Sequence, residues 1–414
     1  MFALSAFGVA ACGDDDEAAD TGGATTTTGE TAGKELTIYS SLPLQGASRP
    51  QTTAMVNGIR LALKEADNKA GNFTIKYQSL DDSTAQAGTW TPEATSQNAR
   101  RAAQDENIGA YIGEFNSGAS AVSIPILSEA KVPQVSPANT AVGLTSDEPG
   151  AEKGEPEKYY PTGFRNYVRI VPKDTIQGSA LATVMKEDGC TKVAMANDRE
   201  VYGAGLSRNI EMSAEDQDLK ILFNDGIDPK AANYRSLASR AKNQGADCFV
   251  YSGITANNAV QLFKDFEAAL PDAKLYGPDG VAESGFADPK EGGIPASVAK
   301  KVKVTVATLD PASYPPEGRQ FFEQFEKEYG EPNPDPYAIY GYEAMRLALD
   351  AIERSETGEK EDIVKALFAT EDRSSVLGTY SIDDNGDTTL TDYGVYSIKD
   401  GELEFEKTVK AATS

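Results

Sequence analysis

Two polar loops carry the residue types best suited to hold a small charged ligand. Residues 116–118 (Asn-Ser-Gly) follow the apolar run 108–112, and these three residue types are typical of a helix N-cap. At such a helix start Ser117 would place a hydroxyl beside free backbone N–H groups, which favours binding of a carboxylate. Thr140, after the predicted strand 134–136, adds a further hydroxyl and N–H. The same residues would also serve as ordinary caps and turns, and the spacing alone leaves both interpretations open.

Strands and helices alternate around these loops in a way that places both on one edge of a sheet. Apolar residues at helical spacing over 55–66 precede the strand 73–80. Parallel strands joined by helical crossovers end in loops at the same edge, where small ligands bind in open α/β sheets. The alternation starts again at 176–185, which predicts two lobes of like α/β fold. Near the C-terminus, 378–382 and 394–398 are predicted to pair as a hairpin.

The overall composition argues against several classes of function. The chain has 414 residues, 40% hydrophobic and 25% charged, as expected for a globular protein of two or three domains. Its net charge of −25 argues against binding to nucleic acid, which needs a basic surface. It has no histidine, so the usual general base and metal ligand is missing. Carboxylate or lysine chemistry stays possible, so this absence disfavours an enzyme without excluding one. We expect no enzyme, no catalytic residue, no metal site and no cofactor.

The N-terminus resembles an export signal that ends in a lipidation site. Residues 2–11 are apolar but too short to span a bilayer, and the sequence at 9–13 (Val-Ala-Ala-Cys-Gly) resembles a bacterial lipobox. Cys12 would then carry the lipid, with 1–12 as the lipoprotein signal segment and 13–34 as a disordered acidic and Thr-rich tether. The alternative is an apolar leader with a free thiol. Lipidation predicts an exported protein anchored on the outer face of the cytoplasmic membrane, periplasmic or at the cell surface.

Cys190 and Cys248 each lie at the N-terminal end of a predicted strand in the second lobe. Those strands are expected to be neighbours, so a disulfide between the two cysteines is geometrically possible. An exported chain permits such a bond. Two buried free thiols are the alternative.

Several short blocks stand in a characteristic order between residue 35 and about residue 408. They are Asn57-Gly58-Ile59-Arg60-Leu61-Ala62, Gly113 to Ser117, Val135-Ser136-Pro137-Ala138-Asn139-Thr140, Val201-Tyr202-Gly203-Ala204-Gly205, Tyr251-Ser252-Gly253 and Gly277-Pro278-Asp279-Gly280-Val281. Together they resemble the type I periplasmic (solute) binding proteins, in the leucine/isoleucine/valine-binding branch of ABC transporter receptors. The resemblance implies two Rossmann-like lobes joined by three crossover segments, with the ligand cleft between them. Lobe one would comprise 35–165 plus 310–378, and lobe two 166–309 plus 379–408.

The resemblance also assigns roles to individual residues. Ser117 would hold a ligand α-carboxylate, Thr140 would serve both carboxylate and amino group, and Ala138 would accept from the amino group through its carbonyl. Asp279 would face the ammonium, and Tyr202 would lie near the carboxylate. A zwitterion needs such donors at one end and such acceptors at the other. The structural alternatives are a turn residue for Asp279 and a core aromatic for Tyr202.

The sequence departs from the family pattern in the expected side-chain pocket. The family's aromatic pocket residues fall on Thr255 or Ala256 and on Gln51, and Asn116 also faces this pocket. Fewer aromatic and more amide side chains imply a pocket that is roomier or more polar than leucine needs.

These residues predict a substrate-binding protein that captures a small amino acid, branched-chain-like or more polar, for an ABC importer by lobe closure. Its partners would be the small zwitterion and the transporter permease, and it would contact the membrane only through the lipid. We expect a monomer. One alternative is a sensory module that binds a small amide or other polar metabolite and signals to a membrane partner. Another is an exported enzyme with Asp279 and Glu114 as an acid/base pair, which the lack of histidine disfavours.

Overall fold

Two separate β-sheets flanked by helices organise the chain. The structure, a computed structural model, describes residues 33–410, which from Lys34 onward form one folded unit. No helix within this range is long and apolar enough to cross a bilayer. The signal segment, the Cys12 lipidation site and almost all of the tether lie outside the described residues, so these remain predictions.

The secondary-structure elements are numbered in chain order. The strands are β1 (Glu35–Leu42), β2 (Lys69–Ala70), β3 (Phe73–Asp81), β4 (Ser83–Thr84), β5 (Thr89–Trp90), β6 (Ile108–Gly113), β7 (Gln134–Ser136), β8 (Tyr167–Arg169), β9 (Lys192–Asn197), β10 (Lys220–Gly226), β11 (Cys248–Ser252), β12 (Lys274–Gly277), β13 (Val302–Val306), β14 (Arg373–Ser375), β15 (Gly378–Tyr380), β16 (Asp392–Lys399) and β17 (Glu402–Lys410). The helices are α1 (Arg49–Glu65), α2 (Pro92–Ala103), α3 (Ser117–Glu129), α4 (Asp174–Glu187), α5 (Val201–Asp216), α6 (Arg235–Asn243), α7 (Ala259–Ala269), α8 (Ser284–Ala287), α9 (Ala296–Ala299), α10 (Pro316–Tyr329), α11 (Ala338–Ser355) and α12 (Lys360–Phe368).

The first sheet has the strand order β2-β3-β1-β6-β7-β8, parallel except for β2. Alternate residues of β1 enter different cores: Ile38 packs in the cluster that contains Met55 of α1, and Tyr39 in the cluster that contains Ala99 of α2. Because both faces are covered, seven of the eight residues of β1 are buried. Because β3, β1, β6, β7 and β8 run parallel, their carboxyl ends lie at the same edge of the sheet as the loops after β6 and β7.

The second sheet has the order β10-β9-β11-β12-β13-β16-β17, with β16 antiparallel to both of its neighbours. The predicted hairpin between 378–382 and 394–398 is wrong. The first of these segments pairs instead with β14, and β16 pairs with β13 and β17. Asp400 and Gly401 both have positive φ angles, 54° and 90°, and form the tight turn between β16 and β17.

The strand β8 belongs to the first sheet, where it pairs in parallel with β7. The predicted boundary assigned residues from 166 onward to the second lobe. For β8 that boundary is wrong, because β8 is a buried strand of the first sheet. Arg169 and Asp387 fix the neighbouring crossover. The buried Arg169 Nε donates to Asp387 Oδ1 at 2.7 Å, and the Arg169 N–H donates to the carbonyl of Gly386 at 2.9 Å. The other lobe limits stay a prediction.

A disulfide joins Cys190 and Cys248 in the second lobe. Their Cα atoms are 5.8 Å apart, and both residues are buried. Cys248 begins β11, and Cys190 lies just before β9, the strand beside it. The bond therefore ties the amino ends of two adjacent strands, at the opposite end from their carboxyl-terminal loops.

Replacing both cysteines with alanine is expected to lower the free energy of unfolding by about 2 to 4 kcal/mol, because the bond closes a loop between residues 58 apart. Urea denaturation followed by circular dichroism measures this loss. A reductant should destabilise the wild type to the level of the double variant and leave the variant itself unchanged. Equal stability of the two proteins without reductant would contradict the expectation.

Candidate functional site

The loops after β6, β7, β9, β11 and β12 meet around one narrow cavity with about 20 Å³ of free volume. Six of the eight predicted ligand-binding residues line it: Asn116, Ser117, Ala138, Thr140, Tyr202 and Asp279. The remaining wall is formed by Trp90, Phe115, Gly118, Glu200, Ile254, Gly280 and Tyr337.

The first lobe presents the start of α3 to the cavity. Asn116 has an extended backbone, and its carbonyl accepts from the N–H groups of Ala119 (3.0 Å) and Ser120 (3.1 Å), so the helix begins at Ser117. The N–H groups of Ser117 and Gly118 donate to no other residue in the range 33–410. Free donors at the positive end of a helix dipole form an anion site.

The loop after β7 lies beside this helix end. Ser136 Oγ accepts from the N–H groups of Ala138 (3.3 Å) and Asn139 (3.0 Å), which holds the loop in a tight turn. Ser117 Oγ accepts from the Ala141 N–H at 3.3 Å, and its own proton remains free to be donated. Thr140 Oγ1 is buried and has no hydrogen-bond partner among the described residues. A buried hydroxyl without a partner is costly, so Thr140 is suited to bind a polar group in the cavity.

The Asp279 carboxylate receives hydrogen bonds from both lobes. Tyr202 Oη, from α5 in the second lobe, lies 2.5 Å from Oδ1. Tyr337 Oη, just before α11 in the first lobe, lies 2.7 Å from Oδ2. Burial raises the pKa of Asp279, and the two phenols oppose that shift. The carboxylate is thus an acceptor held in place at the point where the lobes meet.

A second buried carboxylate, Asp174, lies close to Asp279 and was not predicted from the sequence. Asp174 is the first residue of α4, and neither of its carboxylate oxygens has a hydrogen-bond partner within residues 33–410. Burial and the negative charge of Asp279 hold the pKa of Asp174 well above the ordinary value, although the nearby Thr140 hydroxyl and Arg169 oppose the shift. The nearby Arg169 cannot fully offset this, because its charge is paired with Asp387. The acceptor side of the cavity therefore holds two buried carboxyl groups, of which Asp174 is driven toward its neutral form.

Comparison with known proteins assigns this architecture. A family model for the periplasmic binding proteins matches residues 36–402. The chain belongs to this family. The leucine-specific-binding protein of Salmonella typhimurium is 24% identical over 343 residues, 82% of this chain and 84% of that protein. The solved leucine-binding protein of Thermotoga maritima has a TM-score of 0.77 and 23% identity, covering 91% of this chain and 99% of that one. A solute-binding protein of an ABC transporter from Rhodopseudomonas palustris, in complex with p-hydroxybenzoic acid, has a TM-score of 0.74 and 19% identity, covering 91% and 97%.

The predicted membership in the leucine/isoleucine/valine-binding branch of the type I periplasmic binding proteins is confirmed, and so is the fold of two α/β lobes around a cleft. As a periplasmic binding protein, the chain is a solute-binding protein and not an enzyme. Family membership also places the folded body outside the cytoplasm.

Gln51 and Thr255 do not line the cavity of this periplasmic binding protein, contrary to their predicted positions. Gln51 is buried in α1, and its Oε1 accepts from the Tyr337 N–H at 3.1 Å, so it positions a cavity residue from behind. Thr255 Oγ1 donates to the Gly280 carbonyl at 3.3 Å. Both side chains lie near Glu283 and lower its pKa. The positions aligned with the family's aromatic residues thus support the wall rather than form it.

The aromatic content of the cavity comes from positions that the sequence pattern does not indicate. Trp90 ends the short β4–β5 hairpin, and Tyr337 enters from far along the chain. Phe115 packs edge-on against Tyr337, with ring centroids 6.4 Å apart. The expected shortage of aromatic side chains is therefore wrong. Glu200 was also missed, although a polar residue directly before an amphipathic helix is a recognisable signal.

Glu283 makes a buried contact between the lobes at the edge of the site. Ser48 Oγ, at the start of α1, lies 3.2 Å from Glu283 Oε1, and Glu283 Oε2 has no hydrogen-bond partner among the described residues. Burial raises the pKa of Glu283 to about 8, the Asp335 carboxylate adds to this, and Thr255, Ser48 and Gln51 oppose it. Glu283 is therefore protonated in the folded protein at neutral pH.

This protonation makes stability depend on pH. The unfolded-state pKa of a glutamate is about 4.3. The folded protein therefore binds more protons than the unfolded one between about pH 4.3 and pH 8, and the contribution of Glu283 to stability falls as pH rises through that window. Glu283→Gln should remove this slope, at most about 1.4 kcal/mol per pH unit. Thermal denaturation of both proteins between about pH 5 and pH 9 tests it, because the other titrating groups are common to both. Parallel curves would contradict the expectation.

Proposed function

We propose that this periplasmic binding protein captures a small amino acid or related zwitterion between its lobes and delivers it to the permease of an ABC importer. The observation that carries the proposal is the opposed chemistry of the two ends of the cavity. One end offers the free N–H groups and hydroxyl at the start of α3, and the other offers the Asp279 carboxylate. A zwitterion matches both ends at once.

The carboxylate of the ligand is proposed to bind at the start of α3. Ser117 and Gly118 supply N–H groups, the Ser117 and Thr140 hydroxyls supply further donors, and the helix dipole favours a negative charge there. No lysine or arginine lines the cavity in the range 33–410. Binding of the carboxylate would therefore depend on backbone and hydroxyl donors, as at other helix N-termini.

The ammonium of the ligand is proposed to bind between Ala138 and Asp279. The Ala138 carbonyl and Thr140 Oγ1 are acceptors on the first lobe, and Asp279 provides the counter-charge. The buried Asp174 carboxyl group lies close to Asp279 at this end. Contacts to both lobes would make lobe closure depend on the ligand, because a ligand stabilises the conformation to which it binds best.

A thermal-shift screen of the domain from residue 35 tests the ligand class. The probes are the standard amino acids, their amides, and 4-hydroxybenzoate, since one structural relative holds p-hydroxybenzoic acid. A ligand at 100 times its Kd should add about 2.7 kcal/mol to the stability. Stabilisation by an amino acid, and not by its amide, supports the proposal. Stabilisation by 4-hydroxybenzoate alone would show that the cavity recognises an aromatic acid and would reject the zwitterion assignment.

The lipid anchor is part of the same proposal. We expect Cys12 to carry a lipid that holds the protein near its permease, with 13–34 as the tether. Cys12→Ala should release the full-length protein from the membrane fraction of cells while leaving ligand binding of the purified protein unchanged. Retention of the variant in the membrane fraction would reject lipidation at this cysteine.

A further inference from the structure

The carboxyl group of Glu200 faces the helix end to which the ligand carboxylate is assigned. Glu200 is the N-cap residue of α5 and lies half-buried on the second-lobe wall of the cavity. A Cβ placed on Gly118 would be 2.9 Å from Glu200 Oε2 and 2.6 Å from Trp90 Cζ2, closer than real Cβ atoms approach. The absence of a side chain at Gly118 is therefore what lets Glu200 and Trp90 lie directly against the first turn of α3.

No cation faces Glu200 from the elements packed around it. Asp198 lies behind it at the end of β9, and its Oδ2 accepts from Asn257 Nδ2 at 2.9 Å. Arg199 is exposed and turned away, with its guanidinium donating to the Gly226 carbonyl at 2.6 Å. Burial and the Asp198 carboxylate raise the pKa of Glu200 to about 7, and Asn257 opposes the shift. Across the cleft, the facing groups are the uncharged indole of Trp90 and the free N–H groups of α3.

We infer that Glu200 contacts the carboxylate of the ligand as a neutral carboxyl group, so that binding of a carboxylate-bearing ligand takes up a proton at this side chain wherever Glu200 is ionised in the free protein. The inference rests on the proposed function, because it takes the ligand carboxylate to lie at Ser117 and Gly118. Two carboxylates brought together in a cavity that excludes water cannot both remain ionised. The proton comes from solvent, and the Glu200 O–H then donates to the ligand oxygen in a charge-assisted hydrogen bond.

This arrangement gives Glu200 a role in specificity. The neutral carboxyl group is a donor that reaches the ligand from the second lobe, whereas Ser117, Gly118 and Thr140 all reach it from the first. A ligand with a carboxylate would then bridge the two lobes at this end of the cavity, as Asp279 lets an ammonium do at the other. A ligand with an amide at this end gains no such charge-assisted bond and causes no proton uptake.

The test compares wild type, Glu200→Gln and Glu200→Ala by isothermal titration calorimetry with L-leucine, L-glutamine and 4-hydroxybenzoate. Measurements run from about pH 6 to pH 9. At each pH the Kd values of wild type and variant are compared as a ratio, in which titration of the probes themselves cancels. The wild-type Kd should rise up to about tenfold per pH unit above the pKa of Glu200 in the free protein. The glutamine variant keeps a neutral donor, so it should lack this rise and bind about tenfold or more tightly than wild type at the highest pH. The alanine variant should also lack the rise but bind more weakly than the glutamine variant at every pH.

Two further measurements make the result specific to Glu200. Titration of the acid probes in buffers of different ionisation enthalpy should show proton uptake for the wild type and none at this site for Glu200→Gln. Glu215→Gln, an exposed change of the same charge on the same helix, should keep the wild-type pH profile.

A ratio of the wild-type Kd to the Glu200→Gln Kd that is constant with pH would overturn the inference and leave the proposed function standing. L-Arginine is titrated as a cationic control. If Glu200→Gln selectively loses L-arginine binding, Glu200 is ionised in the complex, and the inference is overturned as well. Failure of every carboxylate probe to bind any of these proteins would reject the proposed function itself.

Discussion

Replacing Asp279 with asparagine is expected to weaken amino-acid binding by about 100-fold or more while leaving the fold intact. The carboxylate is the only charged acceptor that lies on the cavity wall beside the proposed ammonium position within residues 33–410. Loss of one partner from a buried, hydrogen-bonded charge pair costs about 2 to 5 kcal/mol. Asparagine keeps the size of the side chain and an oxygen that the Tyr202 or Tyr337 hydroxyl can reach. Calorimetric titration with the amino acid found in the thermal-shift screen measures the effect.

The stability of the ligand-free variant separates this role from a structural one. Burial raises the pKa of Asp279, which means that the folded protein pays a desolvation cost for the charge. Asp279→Asn should therefore melt at the same temperature as wild type or higher. Asp272→Asn, an exposed change of equal charge in the same lobe, should alter neither binding nor melting. A variant that binds normally, or one that has lost its fold, would contradict the assigned role of Asp279.

Replacing Asp387 with asparagine is expected to lower the free energy of unfolding by about 3 to 5 kcal/mol, because it leaves the fully buried Arg169 guanidinium without its counter-ion. Arg169 also donates to the Ala141 carbonyl at 2.7 Å and to Thr145 Oγ1 at 2.6 Å. These acceptors are uncharged, so they cannot replace the carboxylate. Lys173 lies 3.2 Å from the same carboxylate and would lose its contact too. Urea denaturation at neutral pH measures the loss.

The pH dependence of that loss identifies its electrostatic origin. Burial raises the pKa of Asp387, but the Arg169 and Lys173 charges outweigh it and hold the pKa below its ordinary value. The stabilisation is therefore present above the unfolded-state pKa of about 3.9 and disappears as pH falls through the lower folded-state value. Asp384→Asn removes the same charge from an exposed position of the same turn, and it should cost less than about 0.5 kcal/mol. Similar losses in the two variants would show that the ion pair is not what stabilises the crossover.

The parts of the molecule that were predicted correctly are those that depend on local pattern. The alternation of apolar helices and strands places the loops after β6 and β7 at one sheet edge, which brings Ser117 and Thr140 together without knowledge of the tertiary structure. The family pattern adds Tyr202 and Asp279 from the second lobe. All four residues lie within five residues of the end of a parallel strand, so the strand order alone brings them to one region.

The parts that were missed depend on contacts between distant segments. Tyr337 reaches the cavity because α11 packs on α1, and Gln51 turns away from the cavity to bind the Tyr337 backbone. Trp90 sits in a hairpin of two-residue strands that carries no periodic signal. The pairing of β16 with β17 was missed because two turns compete for that region, and only the turn at Asp400 precedes a long alternating strand. Sequence pattern alone does not rank such alternatives.

The position of Trp90 has a consequence for optical studies of this protein. It is the only tryptophan in the 414 residues, and it lies in the cleft against Gly118 and beside Glu200. The emission of the native protein under selective tryptophan excitation therefore arises from one indole at the meeting point of the lobes. Changes in its intensity or wavelength report opening and closing directly, without an attached dye. The eighteen tyrosines do not obscure the signal, because they absorb little at the wavelengths that excite the indole alone. Stopped-flow mixing with unlabelled protein can thus follow the motion of the lobes in real time.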